Sequence, residues 1–251
     1  MRINPWMLSF AASLAIPAPL QAETNACSAV KPGRYVVMGE GQAGKQPTAH
    51  LIQEHWLPDG RIEGIAFERT GRAFRSVSYG GTYQNQSHCR AVVRRQLSSN
   101  IANTIVVLNP SGEPVYGLAT EPATVVSSRW FQQTAEACQA SDLNGVVLSR
   151  QRGLSWDGSH WRPNAVVQRE IWRDGTVRGN AQSSYGGQGE QANYTGQLKV
   201  RADCVARLQE TDSKGVLYNY SAVLLTGSRG YLYLQQDPDD LTIGLLEHVS
   251  R

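Results

Sequence analysis

"PDGRIEGIA", Pro58–Ala66, decides how this chain is read, because "RDGTVRGNA", Arg173–Ala181, repeats its Asp, Gly, Gly and Ala at an offset of 115 residues. Working outward, the same offset relates Gln53 to Gln168, Tyr79 to Tyr194, Gly81 to Gly196, Cys89 to Cys204, Ala91 to Ala206, Gly112 to Gly227 and Tyr116 to Tyr231. A competing signal is the string "SYGG", which occurs at Ser78–Gly81 and again at Ser184–Gly187. One gap-free register that carries turn glycines, aromatics and cysteines together outweighs a single four-letter string. It also sets the second "SYGG" opposite "RTGR", Arg69–Arg72, a hairpin tip where glycine is favoured in any case. Each half opens with Ala-Cys, at Ala26-Cys27 and Ala137-Cys138. The chain therefore reads as a tandem duplication of a module of roughly 110 residues.

Strand signals fill both copies. "GRYVVM", "HLIQEHWL", "RIEGIAFE", "CRAVVRRQL", "NTIVVL" and "VYGLAT" are short, rich in β-branched and aromatic residues, and separated by turn sequences. Cys89, Ala91 and Val93 share one face of a strand whose other face carries Arg90 and Arg94. Cys204, Ala206 and Leu208 repeat that face, opposite Arg207 and Gln209. Ile62, Gly64 and Ala66, echoed by Val177, Gly179 and Ala181, form a small-residue inner face, as where neighbouring side chains need room in a tight barrel. About eight short strands per module and no amphipathic helix predict an all-β, up-and-down antiparallel barrel in each half, with a β-sandwich as the alternative. The polar stretch Gln132–Ala137 reads as the linker, giving modules over 23–133 and 134–251.

Residues 1–22 carry Arg2, an apolar stretch from Trp6 to Ile16 and small residues ending at Ala22, the layout of a secretory signal peptide cleaved before Glu23. The apolar run is shorter than the ~20 residues a membrane span needs, and no later segment is apolar enough to serve. The predicted location is periplasmic or secreted, and the protein is not expected to be integral to a membrane. In an oxidising compartment four cysteines read as two disulfides, and a duplicated module pairs within itself: Cys27 with Cys89, Cys138 with Cys204. No CxxC or HxxxH spacing supports a metal site, and no cofactor is expected.

The stretch "YGGTYQNQSHC", echoed by "YTGQLKVRADC", resembles a pattern of small exported bacterial β proteins: G-x-Y, five residues, then Cys. Those proteins are similar in outline to lipocalin-like (calycin-type) barrels and mostly lack an assigned activity. The second copy departs from the pattern, with Leu198 where it wants Tyr. The resemblance implies a barrel and transfers no catalytic residue.

No nucleophile elbow, zinc-protease helix, P-loop or dinucleotide glycine pattern occurs, so no catalytic residue is assigned and the reading favours binding over catalysis. His88 beside Cys89 reads as a turn residue next to a bridge, and "DPDD", Asp237–Asp240, as a solvated hairpin turn lacking the spacing of a calcium loop. "SWDGSHW" places Trp156, Asp157, His160 and Trp161 together in a stretch specific to module 2, either a binding surface or aromatics folded over a barrel mouth. Residues 27–131 hold 11 Lys/Arg against 7 Asp/Glu, whereas residues 138–251 hold 12 against 12. Arg90, Arg94 and Arg95, with Arg69, Arg72 and Arg75, accordingly form either a basic face toward an anionic glycan or lipid headgroup, or a solvated strand face. Nucleic acid is not an expected partner. The expectation is an exported, non-catalytic binding protein that holds a small apolar ligand in a barrel or a glycan or protein partner through its loops. The alternatives are a barrel-type cyclase or isomerase acting on a small hydrophobic substrate, and an inhibitor of a secreted hydrolase. The barrel interior discriminates, since converging His, Tyr and Glu around a cavity favour the enzyme.

Overall fold

The computed structural model of the chain describes residues 27–97, 100–134, 136–225 and 230–250. Its first half is a meander of β1 (Gly33–Ala43), β2 (Gln46–Trp56), β3 (Arg61–Thr70), β4 (Ala73–Gln86), β5 (Arg90–Leu97), β6 (Asn100–Leu108), β7 (Pro114–Ala119) and β8 (Thr124–Gln133). Each strand pairs antiparallel with the next, and β8 returns to pair with β1, closing barrel 1. The second half repeats the plan with β9 (Gly145–Trp156), β10 (Trp161–Arg173), β11 (Thr176–Tyr185), β12 (Gln188–Val200), β13 (Val205–Asp212), β14 (Leu217–Leu225), β15 (Gly230–Gln235) and β16 (Asp240–Ser250). There β16 pairs with β9 and closes barrel 2. Closure removes the free edges that a sandwich would leave, so the barrel expectation holds and the sandwich is set aside. The signal segment 1–22 and its cleavage site lie outside the described residues.

Backbone details repeat with the fold. Hairpin-tip Gly71 (φ 54°) and Gly186 (φ 57°) occupy the same left-handed turn, as do Cys89 (φ 55°) and Cys204 (φ 72°) just before β5 and β13. Cys27 is bonded to Cys89 and Cys138 to Cys204, as the duplication predicts. Each bridge ties the segment entering its barrel to the same corner of the wall.

The single 115-residue register does not hold throughout. The turn between β2 and β3 runs from Trp56, opposite Ile62, whereas its counterpart runs from Trp172, opposite Val177, one residue shorter. Strands β2 and β10 are therefore related by 116, which pairs Glu54 with Glu170 and Trp56 with Trp172. Gln53 and Gln168 are not equivalents: Gln53 bonds to Gln133 and across to barrel 2, while Gln168 points into barrel 2 and accepts from Ser149 and Gln151. Tyr116 and Tyr231 part company as well, the first 57% exposed and the second fully buried. The linker is also shorter than expected, because Gln132 and Gln133 belong to β8.

Between the barrels lies a third apolar cluster. Val36, Ala49, Leu51 and Phe67 of barrel 1 meet Val223, Leu232, Leu234, Leu241 and Ile243 of barrel 2. The outer face of β2 alternates into this seam while its inner face lines barrel 1, as period-two side chains require. Polar groups cross the seam: Gln133 donates to the Leu224 carbonyl, and buried Arg69 donates through its terminal nitrogens to the carbonyls of Gln236 and Pro238, its Nε alone left without a partner.

Candidate functional site

Both barrels are built round an inward Glu-x-Trp on the strand that ends at a tight turn. In barrel 1 the Trp56 indole donates to Glu54 Oε2 (2.9 Å) and the Tyr79 hydroxyl to Oε1 (2.5 Å). In barrel 2 the Trp172 indole donates to Glu170 Oε2 (2.7 Å) and the Tyr194 hydroxyl to Oε1 (2.9 Å). The small inner face of the next strand is what lets the tyrosine in. A Cβ on Gly64 would lie 2.8 Å from the Tyr79 hydroxyl oxygen, and one on Gly179 would strike the Tyr194 ring.

The interiors diverge at one position on the fifth strand of each barrel. Arg95 faces Gly81 across its ladder and Glu210 faces Gly196, so the two are equivalent. Arg95 donates to both Glu54 oxygens (2.6 and 3.2 Å) and to Thr104 (2.8 Å), with its guanidinium 5.8 Å from the Trp130 ring centroid. Burial pushes the Glu54 carboxyl up, but Arg95's charge and the bonds from Arg95, Tyr79 and Trp56 outweigh it and hold the group below its ordinary value. His50, lodged against Gly39, is pushed down to about 4 by burial and by Arg95. The Glu54–Arg95 network is a satisfied, charge-balanced core.

Barrel 2 has no such balance. Glu170 takes a third bond from the Tyr231 hydroxyl (3.0 Å), and burial raises it to about 7 against those donors. Glu210 is raised well above its ordinary value by burial and by the Glu170 charge, with Tyr220 opposing as a donor. Where barrel 1 has Thr104 and Gly117, the equivalent ladder positions carry Tyr220 and Tyr233. Their rings meet edge to face at 5.1 Å, and the buried Tyr233 hydroxyl has no hydrogen-bond partner. Beside Glu210 a chamber of about 70 Å³ continues past Tyr194 and Gln168 toward Tyr185 and Tyr218 at the hairpin end of the barrel. That volume suits a few water molecules or the head of a small ligand. The opposite end is shut by Leu143 of the 3-10 turn Ala140–Leu143 and by the Cys138–Cys204 bridge.

The residues singled out in the sequence fall elsewhere. Trp156, Asp157, His160 and Trp161 share the β9–β10 hairpin tip, with the two indoles edge to face at 5.5 Å. Asp157 is committed to that tip, accepting from the Ser159 and His160 amides and from Arg162. Those amide bonds, with Arg162's, hold its carboxyl well below the usual range. Arg90 and Arg94 are exposed on the outer face of β5, but Arg95 is not with them: the alternation that points Ala91 and Val93 inward carries it into the core. Arg69 is buried at the seam, and Arg72 and Arg75 pair with Asp239 and Glu68, which leaves Arg90 and Arg94 as the exposed strand-face arginines of the six. The structure thus brings together a Glu–Tyr chamber that was not among the sequence candidates. Its signal was present as Glu-x-Trp in both halves.

Among the described residues no group of three or more His, Cys, Asp and Glu is placed to hold a metal ion, and no helix is long and apolar enough to cross a membrane. No protein-family model and no curated protein matches the chain. Two solved structures resemble it in outline. Kievitone hydratase from Nectria haematococca is 10% identical, with a TM-score of 0.30 over 90% of this chain and 94% of that one. A porin-like protein from Bacteroides uniformis is 8% identical, with a TM-score of 0.22 over 89% of this chain and 99% of the other. At TM-scores this low neither likeness carries an argument.

Proposed function

We propose that the protein is an exported binding protein whose ligand is a small molecule held inside barrel 2. The observation that carries this reading is the contrast between the interiors: barrel 1 is filled by its own ion pair and aromatics, while barrel 2 keeps a chamber beside Glu210. The lining of tyrosine hydroxyls, glutamine amides and carboxyls selects a ligand with hydrogen-bonding groups rather than a purely apolar one. Two disulfides support export, with a mature chain starting near Glu23 and modules over 23–133 and 134–251. The test is mass spectrometry of small molecules released from natively purified protein, against a Ser183→Trp variant that blocks the chamber. A compound present with the wild type and lost from the variant supports the reading. Equal amounts from both, or none from either, overturn it.

A second reading, an acid–base enzyme of the isomerase or cyclase kind, is favoured by one observation. Glu170, raised to about 7 inside a closed barrel, has a protonation state suited to moving a proton near neutrality. Against it, the space next to Glu170 is filled and its oxygens already accept three donors. Turnover of the released compound that disappears in Glu170→Gln while binding persists is the result that would promote this reading.

A further inference from the structure

Barrel 1 supplies the template for what barrel 2 lacks. Glu170, Trp172 and Tyr194 reproduce Glu54, Trp56 and Tyr79 bond for bond, yet the position of Arg95 is taken by a second carboxyl, Glu210. Among the described residues lining this interior there is no Lys, Arg or His, so the pair has no buried counter-charge. Independently, the hydroxyl of buried Tyr233, whose side chain packs with Glu170 and Glu210, has no hydrogen-bond partner. The rings of Tyr194, Tyr220, Tyr231 and Tyr233 surround the two carboxyls, and aromatic faces attract cations. Asp212 adds an acidic group toward the mouth, where Glu190 is paired with Lys214.

We propose that barrel 2 takes the cationic head of a small organic ligand, a primary ammonium or a guanidinium, in the chamber on the mouth side of Glu210. This rests on the reading of barrel 2 as the binding chamber and names the class of its ligand. The groups facing Glu210 are Glu170 from β10, Tyr194 from β12, Tyr220 from β14, and Tyr231 and Tyr233 from β15. Strands β9 and β16 present uncharged Gln151 and Thr242, β11 presents Ser183 and Tyr185, and Asp212 of β13 and Tyr218 of β14 stand nearer the mouth. An entering positive charge favours the ionised carboxyl, so binding at neutral pH releases a proton.

Three four-carbon probes, n-butylammonium, 1-butanol and butyrate, are titrated into the full-length protein and followed at the ring resonances of Tyr220 and Tyr233. Calorimetry in two buffers of different ionisation heat counts the protons. The ammonium is expected to bind about tenfold or more tighter than the alcohol, with proton release, while butyrate does not bind. Glu210→Arg, which restores the barrel 1 arrangement, abolishes ammonium binding. Because the added bulk beside Tyr220 threatens folding, the near-isosteric Glu210→Gln is run in parallel and loses the preference for the cation. Equal binding of the alcohol, or a cation preference that survives in Glu210→Gln, overturns the cation class while leaving a binding chamber. Silence of both ring systems to all three probes, with no compound released from native protein, overturns the chamber as well.

Discussion

Barrel 1 and barrel 2 hold the same carboxyl, the same tryptophan and the same tyrosine, and they differ in the sign of one side chain on the fifth strand. With Arg95 the carboxyl is an ion pair and the core is complete; with Glu210 it is one of two acids among tyrosines, and space remains. Neighbouring changes follow the charge. Trp130, whose ring lies under Arg95, is matched on the ladder by Leu246, and Thr104 by Tyr220. The lesson is that a barrel of this size is near the limit of what its own side chains fill. A handful of substitutions round its centre, Arg95 against Glu210 among them, separate a filled core from a chamber.

The most drastic way to break the comparison is to cut it. Residues 23–133 and 134–251, produced apart with their disulfides, each keep an interior cluster, so each is expected to give dispersed β-type amide spectra. Each also exposes its side of the seam, Leu51 and Phe67 in one and Leu232 and Leu234 in the other, so both should self-associate by light scattering and recombine when mixed. Loss of dispersion in either half would make the seam part of its fold.

Next in size, Arg95→Leu leaves Glu54 buried without its cation and should destabilise barrel 1 by about 3–5 kcal/mol in denaturant titrations. The double change Glu54→Gln with Arg95→Leu should recover much of that loss, because the uncompensated charge is gone. Replacing Cys27 and Cys89 together by Ala should remove about 2–5 kcal/mol, the usual range for a small exported domain. Hydrogen exchange should place that loss in barrel 1.

A smaller effect separates the barrels by pH, and its sign differs between them. Glu54 sits below its ordinary value and His50 is lowered to about 4, so their stabilisation is present above ordinary values of 4.5 and 6.5 and is lost as pH falls. Glu170 is raised to about 7, so its contribution is complete below 4.5 and is lost as pH rises toward 7. Hydrogen exchange, corrected for its intrinsic pH dependence, should show barrel 1 loosening toward pH 4 and barrel 2 toward pH 8. Parallel responses would mean the charge difference does not govern stability. Smallest of all, Arg152→Ala removes an exposed cross-barrel pair with Glu40 and should change stability by less than about 1 kcal/mol.

The architecture was legible because it is written in features that survive divergence: turn glycines, cysteines before the fifth strand, and alternation in β5 and β13. The chamber was not, for two physical reasons. A turn one residue shorter in the second copy shifts β10 against β2, and holding the offset at 115 paired Gln53 with Gln168 instead of Glu54 with Glu170. In a strand, a slip of one residue exchanges the inner and outer faces, which hid a buried acid as a surface one. Arg95 was readable from the alternation already applied to Ala91 and Val93, but a run of arginines suggests surface, since unpaired arginine is almost never buried. Its partner lies on another strand, beyond any local pattern. Tyr231 and Tyr233 belong to a hydrophobic strand whose counterpart in barrel 1 carries Pro114 and Gly117, so the 115-residue offset, which matches Tyr231 to the exposed Tyr116, gave no hint that they line an interior.

Arg69 links the two barrels mechanically. Its guanidinium leaves the β3–β4 end of barrel 1 and grips the carbonyls of Gln236 and Pro238, while Arg72 beside it holds Asp239. Those residues form the β15–β16 hairpin at the mouth of barrel 2, where Asp240 in turn holds Ser155. Barrel 1, its centre occupied by the Glu54–Arg95 pair, thus acts as a brace. It fixes one side of the rim, so any widening that admits a bulkier guest has to come from the unbraced β11–β12 and β13–β14 hairpins. A duplicated copy can stay useful after its own interior has closed, by stiffening the doorway of its twin.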